Sequence, residues 1–312
     1  MPLPGYQSPA SNVCHEQRHV MADIPFRRDL DFAYGRVDQL SPMIRRVIAR
    51  NPSPFTFHGT GTYIIGRGTV AVIDPGPDLA EHRRALAACL AGEQVSHILI
   101  THTHDDHCGG ARAFQQAVGA PTYGFGPHPG HESEPTEAGA DETFMPDNRL
   151  HDGDVLAGSG WRLETLHTPG HLANHLCFAL SEEAALFTGD HVMGWSTSVV
   201  VPPHGHMGAY ISNLERLLTR DERIYYPTHG APIEQPHEFV TALIRHRRRR
   251  EADIIACLHA GLDTIPTIVA RLYRDVPLHL HAAAAQSVLA HLIDLQERSL
   301  VTAAEQDRFL LR

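Results

Sequence analysis

Ten residues constrain this chain more than any others: Thr101-His102-Thr103-His104-Asp105-Asp106-His107-Cys108-Gly109-Gly110. They follow the apolar run Ile98-Leu99-Ile100 and precede a segment of helical character over residues 110–118. The pattern predicts a strand that runs into a turn and then a helix. Side chains alternate faces along a strand, so His102 and His104 point the same way while extended geometry persists. Asp106 and His107 come where the backbone turns and can swing toward a neighbouring point. Neutral imidazole and carboxylate are the donors that borderline divalent ions such as Zn²⁺ take. The stretch reads as half of a two-metal hydrolytic site whose other half lies further along the chain.

Three later turns offer the missing donors. His167-Thr168-Pro169-Gly170-His171 follows an apolar strand pattern over 161–166, Thr188-Gly189-Asp190-His191 follows 185–187, and Pro227-Thr228-His229-Gly230 follows 224–226. Strand ends are where a rigid scaffold presents reactive groups on short loops. One such turn says little, but four in order, each carrying His or Asp, point to metal chemistry. His167 reads as a strand-end residue rather than a ligand, and Cys108 as a small buried residue. His175 and His191 read as ordinary loop residues or as partners of the ligands. Asp74, at the end of the strand over 69–74, either touches a ligand or caps its own turn.

Taken together, His-x-His-x-Asp-His at 102–107, His-Thr-Pro-Gly-His at 167–171, Thr-Gly-Asp at 188–190 and the His-Gly pair at 229–230 resemble the metallo-β-lactamase fold superfamily over roughly residues 55–235. The resemblance implies an α/β fold, a four-layer αββα sandwich with the site at one edge. It also implies that His102, His104 and His171 hold one metal, that Asp106, His107 and His229 hold a second, and that Asp190 bridges the two. The cofactors are then two Zn²⁺, with Mn²⁺ or Fe as alternatives. Two such ions lower the pKa of water toward ~7 and supply a bridging hydroxide at neutral pH. Two divalent charges less two carboxylates and the hydroxide leave a residual of about +1, which favours anionic substrates. Asp106 and Asp190 are the catalytic candidates, Asp106 through orienting the nucleophile or taking its proton.

Around this site the chain divides into three parts. Residues 1–20 read as a flexible N-terminal extension, 21–235 as the catalytic domain and 236–312 as a helical module. In the second part, 43–48 looks helical, 61–66 and 69–74 form a hairpin, and 79–90 is an amphipathic helix ended by Gly92. Residues 125–148, rich in Gly, Pro, Glu, Asp and His, form a long loop of the kind that serves as a lid or binding loop. The order of strands and helices repeats in two halves, which suits two facing mixed sheets with helices outside. After Pro236 come three helical patterns, over 239–260, 264–273 and 280–296, and a tail able to pair as two strands. These resemble a winged-helix module, and with it a lactamase-β-like branch related to the mitochondrial single-strand endoribonuclease. That branch often carries acidic residues before the helix at 208, where this chain has Pro203-His204-Gly205-His206. His204 and His206 are therefore candidates to touch substrate.

Charge and composition narrow the substrate without naming it. The net charge of -10 is not that of a protein built to embrace a polyanion, and all 26 basic residues are Arg, which excludes a Schiff-base lysine. The run Arg247–Arg250 is either a phosphate-contacting stripe or an anchor between domains. A phosphodiester such as single-stranded RNA is the first substrate expectation. A small anionic thioester or ester, as in glyoxalase-II-like members, is the second, and a β-lactam the third. A nucleic-acid-binding regulator with a vestigial site fits poorly with a full ligand set. The intact His104 also sets the chain apart from the flavodiiron pattern. The five cysteines, Cys14, Cys89, Cys108, Cys177 and Cys257, are scattered and odd in number, as free thiols in a reducing compartment would be. With no apolar run of ~20 residues and no secretory signal, the expectation is a cytoplasmic protein that does not contact membranes, with a homodimer an open option.

Overall fold

Several strands of this chain are buried at every position, and such a strand must be covered on both faces. The computed structural model of the chain, which describes residues 24–127, 139–305 and 307–312, shows how this is done. The extension expected at 1–20 lies outside the described residues. β1 (Val37–Gln39), β2 (Ile44–Ile48), β3 (Gly61–Ile65) and β4 (Thr69–Ile73) form an antiparallel meander. β5 (Gln94–Leu99), β6 (Thr122–Gly124) and β7 (Asn148–Arg149) add to it in parallel. Parallel neighbours need crossovers. α1 (Ala80–Cys89) makes the first, and α2 (Asp105–Cys108) with α3 (Ala111–Val118) the second.

The second sheet has the order β12-β11-β10-β9-β8. Its strands are β8 (Val155–Gly158), β9 (Trp161–His167), β10 (Leu176–Leu180), β11 (Ala185–Gly189) and β12 (Ile224–Pro227). β8 to β11 are antiparallel, and α4 (Met207–Leu217) carries the parallel crossover from β11 to β12.

Burial follows the parity of each strand. Tyr63, Ile65, Ile73 and Leu99 meet Leu176, Phe178 and Phe187 between the sheets. Ile64, Val70, Val72 and Ile98 turn outward onto Leu86 and Phe114. On the far side, Cys177, Ala179, Leu186 and Tyr225 pack under Tyr210, Leu214, Phe239 and Leu243. The result is the expected four-layer αββα sandwich. Each large side chain fully buried there contributes about 1.5–3 kcal/mol before entropy is counted.

The helix expected over 43–48 is instead the buried strand β2. Its two arginines, Arg45 and Arg46, are both buried. Arg45 reaches Glu93 (2.7 Å) and the Gly66 carbonyl (3.2 Å), and Arg46 reaches the Gly230 carbonyl (3.2 Å) and Asp38 (3.4 Å). Long stems let charged heads leave an apolar strand for its rim.

α5 (Pro236–His259) serves two cores. Phe239, Val240 and Leu243 lie against the second sheet. Ile254, Cys257 and Leu258 join Ile268 and Leu272 of α6 (Ile265–Leu272) and Val288, Leu292 and Leu295 of α7 (His281–Glu297). The hairpin β13 (Val301–Ala304) with β14 (Arg308–Leu311) closes this C-terminal cluster through Val301 and Phe309. Thr264 and Thr267 form a capping box at the start of α6. Three helices and a two-stranded hairpin make up the expected winged-helix arrangement. Among the described residues no helix is long and apolar enough to cross a membrane.

His246 on α5 and His291 on α7 are both buried. Burial, helped by Arg247 and Arg250, lowers His246 to about 3 and holds His291 well below the ordinary histidine range. The unfolded chain therefore binds more protons than the folded one below ~6.5, and stability is lost as pH falls from there toward 3. Melting of chelator-treated protein between about pH 7 and pH 4 should show this acid limb, and His246→Gln should flatten it. Parallel limbs in variant and parent would count against the assignment.

Candidate metal centre

The extended backbone of β5 continues past its last paired residue. His104, with φ -69° and ψ 143°, is still extended and is the residue before α2. His102 and His104 therefore share a face as the period of two requires. One turn of α2 then presents Asp106 and His107, both buried. The turn is held from two sides. The Gly76 N–H donates to the His107 carbonyl (3.0 Å), and the Gly110 N–H donates to the Gly76 carbonyl (2.8 Å). A Cβ on Gly110 would lie 2.9 Å from that carbonyl oxygen, so this close approach needs glycine.

The second sheet brings the remaining donors to the same edge. His171 follows β9 through Thr168-Pro169-Gly170, Asp190 follows β11 directly, and His229 follows β12. His102 Nε2 and His171 Nε2 approach His104 Nδ1 at 2.9 and 3.1 Å. Asp106 Oδ2 lies 3.1 Å from His229 Nε2 and 3.4 Å from His107 Nε2. Asp190 stands between these groups: Oδ1 is 3.4 Å from His229 Nε2 and 3.5 Å from His107 Nε2, and Oδ2 is 3.8 Å from His171 Nε2.

The outward nitrogens decide what the inward ones can do. His171 Nδ1 donates to the Val199 carbonyl (2.6 Å) and His229 Nδ1 to the Gly59 carbonyl (3.2 Å). His107 Nδ1 donates to Asp74 Oδ2 (2.8 Å). In each neutral ring the proton sits on Nδ1 and leaves Nε2 with a bare lone pair aimed at the cluster. His107 Nε2 and Asp190 Oδ1 are buried with no hydrogen-bond partner. Lone pairs converging without donors between them fit a cation, and five imidazoles with two carboxylates are a suitable donor set for divalent transition ions. Three overlapping groups could each hold an ion: His102, His104 and His171; Asp106, His107 and His229; and His102, His107 and Asp190.

The electrostatics separate the two halves. Burial lowers His104 to about 3, with His171 adding to it, and burial among other imidazoles puts His102 well below the ordinary range. Around His107 and His229 burial also disfavours the proton, but the carboxylates of Asp106 and Asp190 outweigh it and raise both rings, with Asp74 adding to the effect on His107. Burial opposes ionisation of Asp106 and Asp190 too. The facing histidines overcome it, holding Asp106 down at about 2 and Asp190 well below the carboxylate range.

Comparison with known proteins agrees with this geometry. Residues 56–229 match the model of the metallo-beta-lactamase superfamily. The chain belongs to that superfamily. Residues 264–308 match the beta-lactamase associated winged helix domain. The chain is 31% identical to a beta-lactamase-like protein 2 homolog of Caenorhabditis elegans, over 81% of this chain and 83% of that protein. It is 32% identical to an atrochrysone carboxyl ACP thioesterase of Cryptosporiopsis sp., over 71% of this chain, and it spans just under two thirds (65%) of that relative's length. A solved metallo-beta-lactamase family protein of Thermus thermophilus superposes with a TM-score of 0.69 at 25% identity, covering 88% of this chain and 100% of that one.

This superfamily member uses the other sequence candidates unevenly. Asp74 is fully buried and accepts from the Thr101 N–H (2.8 Å) and hydroxyl (2.7 Å) as well as from His107, so it holds the His107 ring rather than only capping its turn. His175 is not an ordinary loop residue: buried, it accepts from the Asp190 N–H (3.1 Å) while its Nδ1 meets the Thr168 hydroxyl (2.9 Å). His206 is not at the cleft. Its Nδ1 caps α4 by accepting from the Ala209 N–H (3.0 Å), and its Nε2 pairs with Glu297 on α7 (2.7 Å). Among the described residues that line the cleft beside His104, Asp106 and His229, His204 does not appear. His167 binds the Ala173 carbonyl (2.9 Å) and stacks on Phe125, consistent with a strand-end role, and Cys108 is buried.

Residues 128–138 of the expected lid lie outside the described residues. The part that follows is tied to the ligand turn: Asp105 N–H donates to the Gly139 carbonyl (2.7 Å) and Asp141 N–H to the Thr103 carbonyl (2.9 Å). The carbonyls of Gly59 and Val199, which set two imidazole tautomers, left no signal in the sequence because any residue supplies one.

Proposed function

We propose that the protein is a binuclear zinc-dependent hydrolase acting on an acyl thioester. His102, His104 and His171 would hold one ion, Asp106, His107 and His229 the other, with Asp190 facing both. The observation that carries the substrate class is the cleft. It is lined by Phe55, Met193 and Val199 beside His104, Asp106, His171, Asp190 and His229. Such a wall suits an acyl group, since it offers apolar surface and the described residues that line it include no arginine for phosphates. The thioesterase among the relatives supports the same class.

A phosphodiester substrate, the first expectation from sequence, has less support. Its argument leaned on the arginine run, whose members are engaged inside the chain. Arg247 donates to the Ser198 carbonyl, Arg248 pairs with Glu215 (2.9 Å), Arg249 with Asp253 (3.5 Å), and Arg250 lies 4.5 Å over the Tyr273 ring. These contacts favour an anchor over a phosphate-contacting stripe.

Bound in this donor set, two Zn²⁺ would lower the pKa of water toward ~7 and polarise a carbonyl oxygen. The chain's own residues do the rest. Asp106 and Asp190 stay ionised at neutral pH and set the negative charge of the floor. Asp74, His175 and the Val199 and Gly59 carbonyls hold the ligand rings and the Asp190 turn in place. Phe55 and Met193 shield the acyl portion from water.

The test is a panel on metal-loaded protein: an acyl thioester, a short single-stranded RNA, a diester dye and a β-lactam. Thioester turnover should exceed the others, and Phe55→Ala should raise KM more than it lowers kcat. RNA cleavage that disappears in Asp190→Asn protein, with no thioester turnover in the parent, would replace the proposal with the phosphodiester reading.

A further inference from the structure

The loop after β11 carries more than a connection between Asp190 and α4. The Ser198 hydroxyl bonds the carbonyl of Asp190 (2.6 Å) and lies 2.9 Å from that of His191. Its neighbour Val199 offers the carbonyl that fixes the Nδ1–H tautomer of His171 (2.6 Å). Two adjacent residues therefore orient two of the proposed ligands, one through its backbone and one through its ring. Ser198 itself is buried, and the group that holds its carbonyl is the guanidinium of Arg247, donated across from α5.

Arg247 is only 5% exposed. Its guanidinium lies 5.3 Å over the Tyr210 ring, and Tyr210 in turn supports the His171 turn from below. There, a Cβ on Gly170 would come within 2.4 Å of Tyr210 Cα. One side chain thus touches both supports of His171, the Val199 strap through Ser198 and the Tyr210 shelf. Burying a guanidinium is costly unless it is bonded, so the contact needs a return that packing alone would supply more readily through an aliphatic residue. A planar donor fork aimed at a carbonyl supplies direction, which an aliphatic side chain cannot.

We infer that Arg247 is a positioning residue for the metal centre: through Ser198 it fixes the Asp190 backbone and the His171 ring from the helix that also enters the C-terminal core. The seat of the winged-helix module and the geometry of the ligands are thereby coupled, because Arg247 lies between Leu243, which faces the second sheet, and Ile254, which faces α6 and α7. This rests on the metal-binding reading proposed above.

The experiment measures affinity for Zn²⁺ by competition with a chromophoric chelator, and the visible spectrum of Co²⁺-substituted protein, in the parent, Arg247→Met, Arg247→Lys and Ser198→Ala. The parent is the first arm: if it takes up no metal, the metal-binding reading fails and the inference falls with it. With metal bound in the parent, Arg247→Met should weaken affinity on the order of 10–100-fold, the scale of losing a ligand's supporting partner, and should alter the Co²⁺ bands. Arg247→Lys, which restores a donor to Ser198, should recover part of both. An Arg247→Met protein with a lower melting temperature but unchanged affinity and Co²⁺ spectrum would overturn the inference, since a purely structural role predicts that result. Should Arg247→Met not fold, Ser198→Ala decides. Weakened affinity with a changed spectrum supports the coupling, and parental values for both overturn it.

Discussion

Replacing Asp190 with Asn should remove the activity by on the order of 10³-fold or more while leaving the fold intact, a larger loss than any other single change at the site. Asp190 faces both groups, with Oδ1 near His107 and His229 and Oδ2 near His171. Asn keeps the shape and removes the charge. It also places an amide where one carboxylate oxygen stood, so that an N–H points at a lone pair meant for a cation. With Asp190 gone, Asp106 alone offsets the charge of two divalent ions, and the second should bind weakly. Metal content and turnover should therefore fall together, while the far-ultraviolet dichroism stays that of the parent. An Asp190→Asn protein that keeps both ions and more than a tenth of parental turnover would show that Asp190 does not join the two halves.

Asp74→Asn should weaken metal binding on the order of 10–100-fold although Asp74 is not placed to hold an ion. Its two oxygens accept from the Thr101 N–H, the Thr101 hydroxyl and His107 Nδ1, within 2.7–2.8 Å. An amide has only one acceptor oxygen. If that oxygen meets Thr101 N–H, the amide N–H₂ faces His107 and drives its proton to Nε2, away from the tautomer that can bind a cation. If the amide turns the other way, it opposes the Thr101 N–H at the end of β5. Either arrangement disturbs the His107 side of the centre most directly, while the His171 Nδ1–H keeps the Val199 carbonyl. Chelator competition should resolve one weakened and one near-parental site, and nitrogen-15 shifts should show the His107 tautomer change. Two unchanged sites would return Asp74 to a turn-capping role.

The gathering of these donors was legible because each sits where a short strand ends in a turn marked by Gly or Pro, so a local pattern carried the long-range result. His171, Asp190 and His229 are far apart in sequence, yet β9, β11 and β12, which precede them, lie in one sheet with only β10 between β9 and β11, so their ends bring the residues to one edge. Two kinds of feature resisted reading. The stretch 43–48 looked helical, yet β2 within it is a buried strand that carries Arg45 and Arg46. Only the tertiary structure supplies Glu93, Asp38 and the carbonyls that let two arginines lie in a buried strand. The other kind is support from the main chain. The carbonyls of Gly59 and Val199 orient His229 and His171, and no side-chain chemistry announces them. His206 shows the reverse error: a histidine near the motifs in sequence, it is drawn away by the α4 N-terminus and Glu297.

The central claim is that the donors gathered at the sheet edge hold two divalent ions. Anomalous diffraction above and below the zinc edge, on crystals of protein prepared without chelator, tests it most directly. The expected result is two peaks per chain, one among His102, His104 and His171 and one among Asp106, His107 and His229, with Asp190 between them. A map with no anomalous peak at this edge, from protein that elemental analysis shows to carry less than one ion per chain, would contradict it.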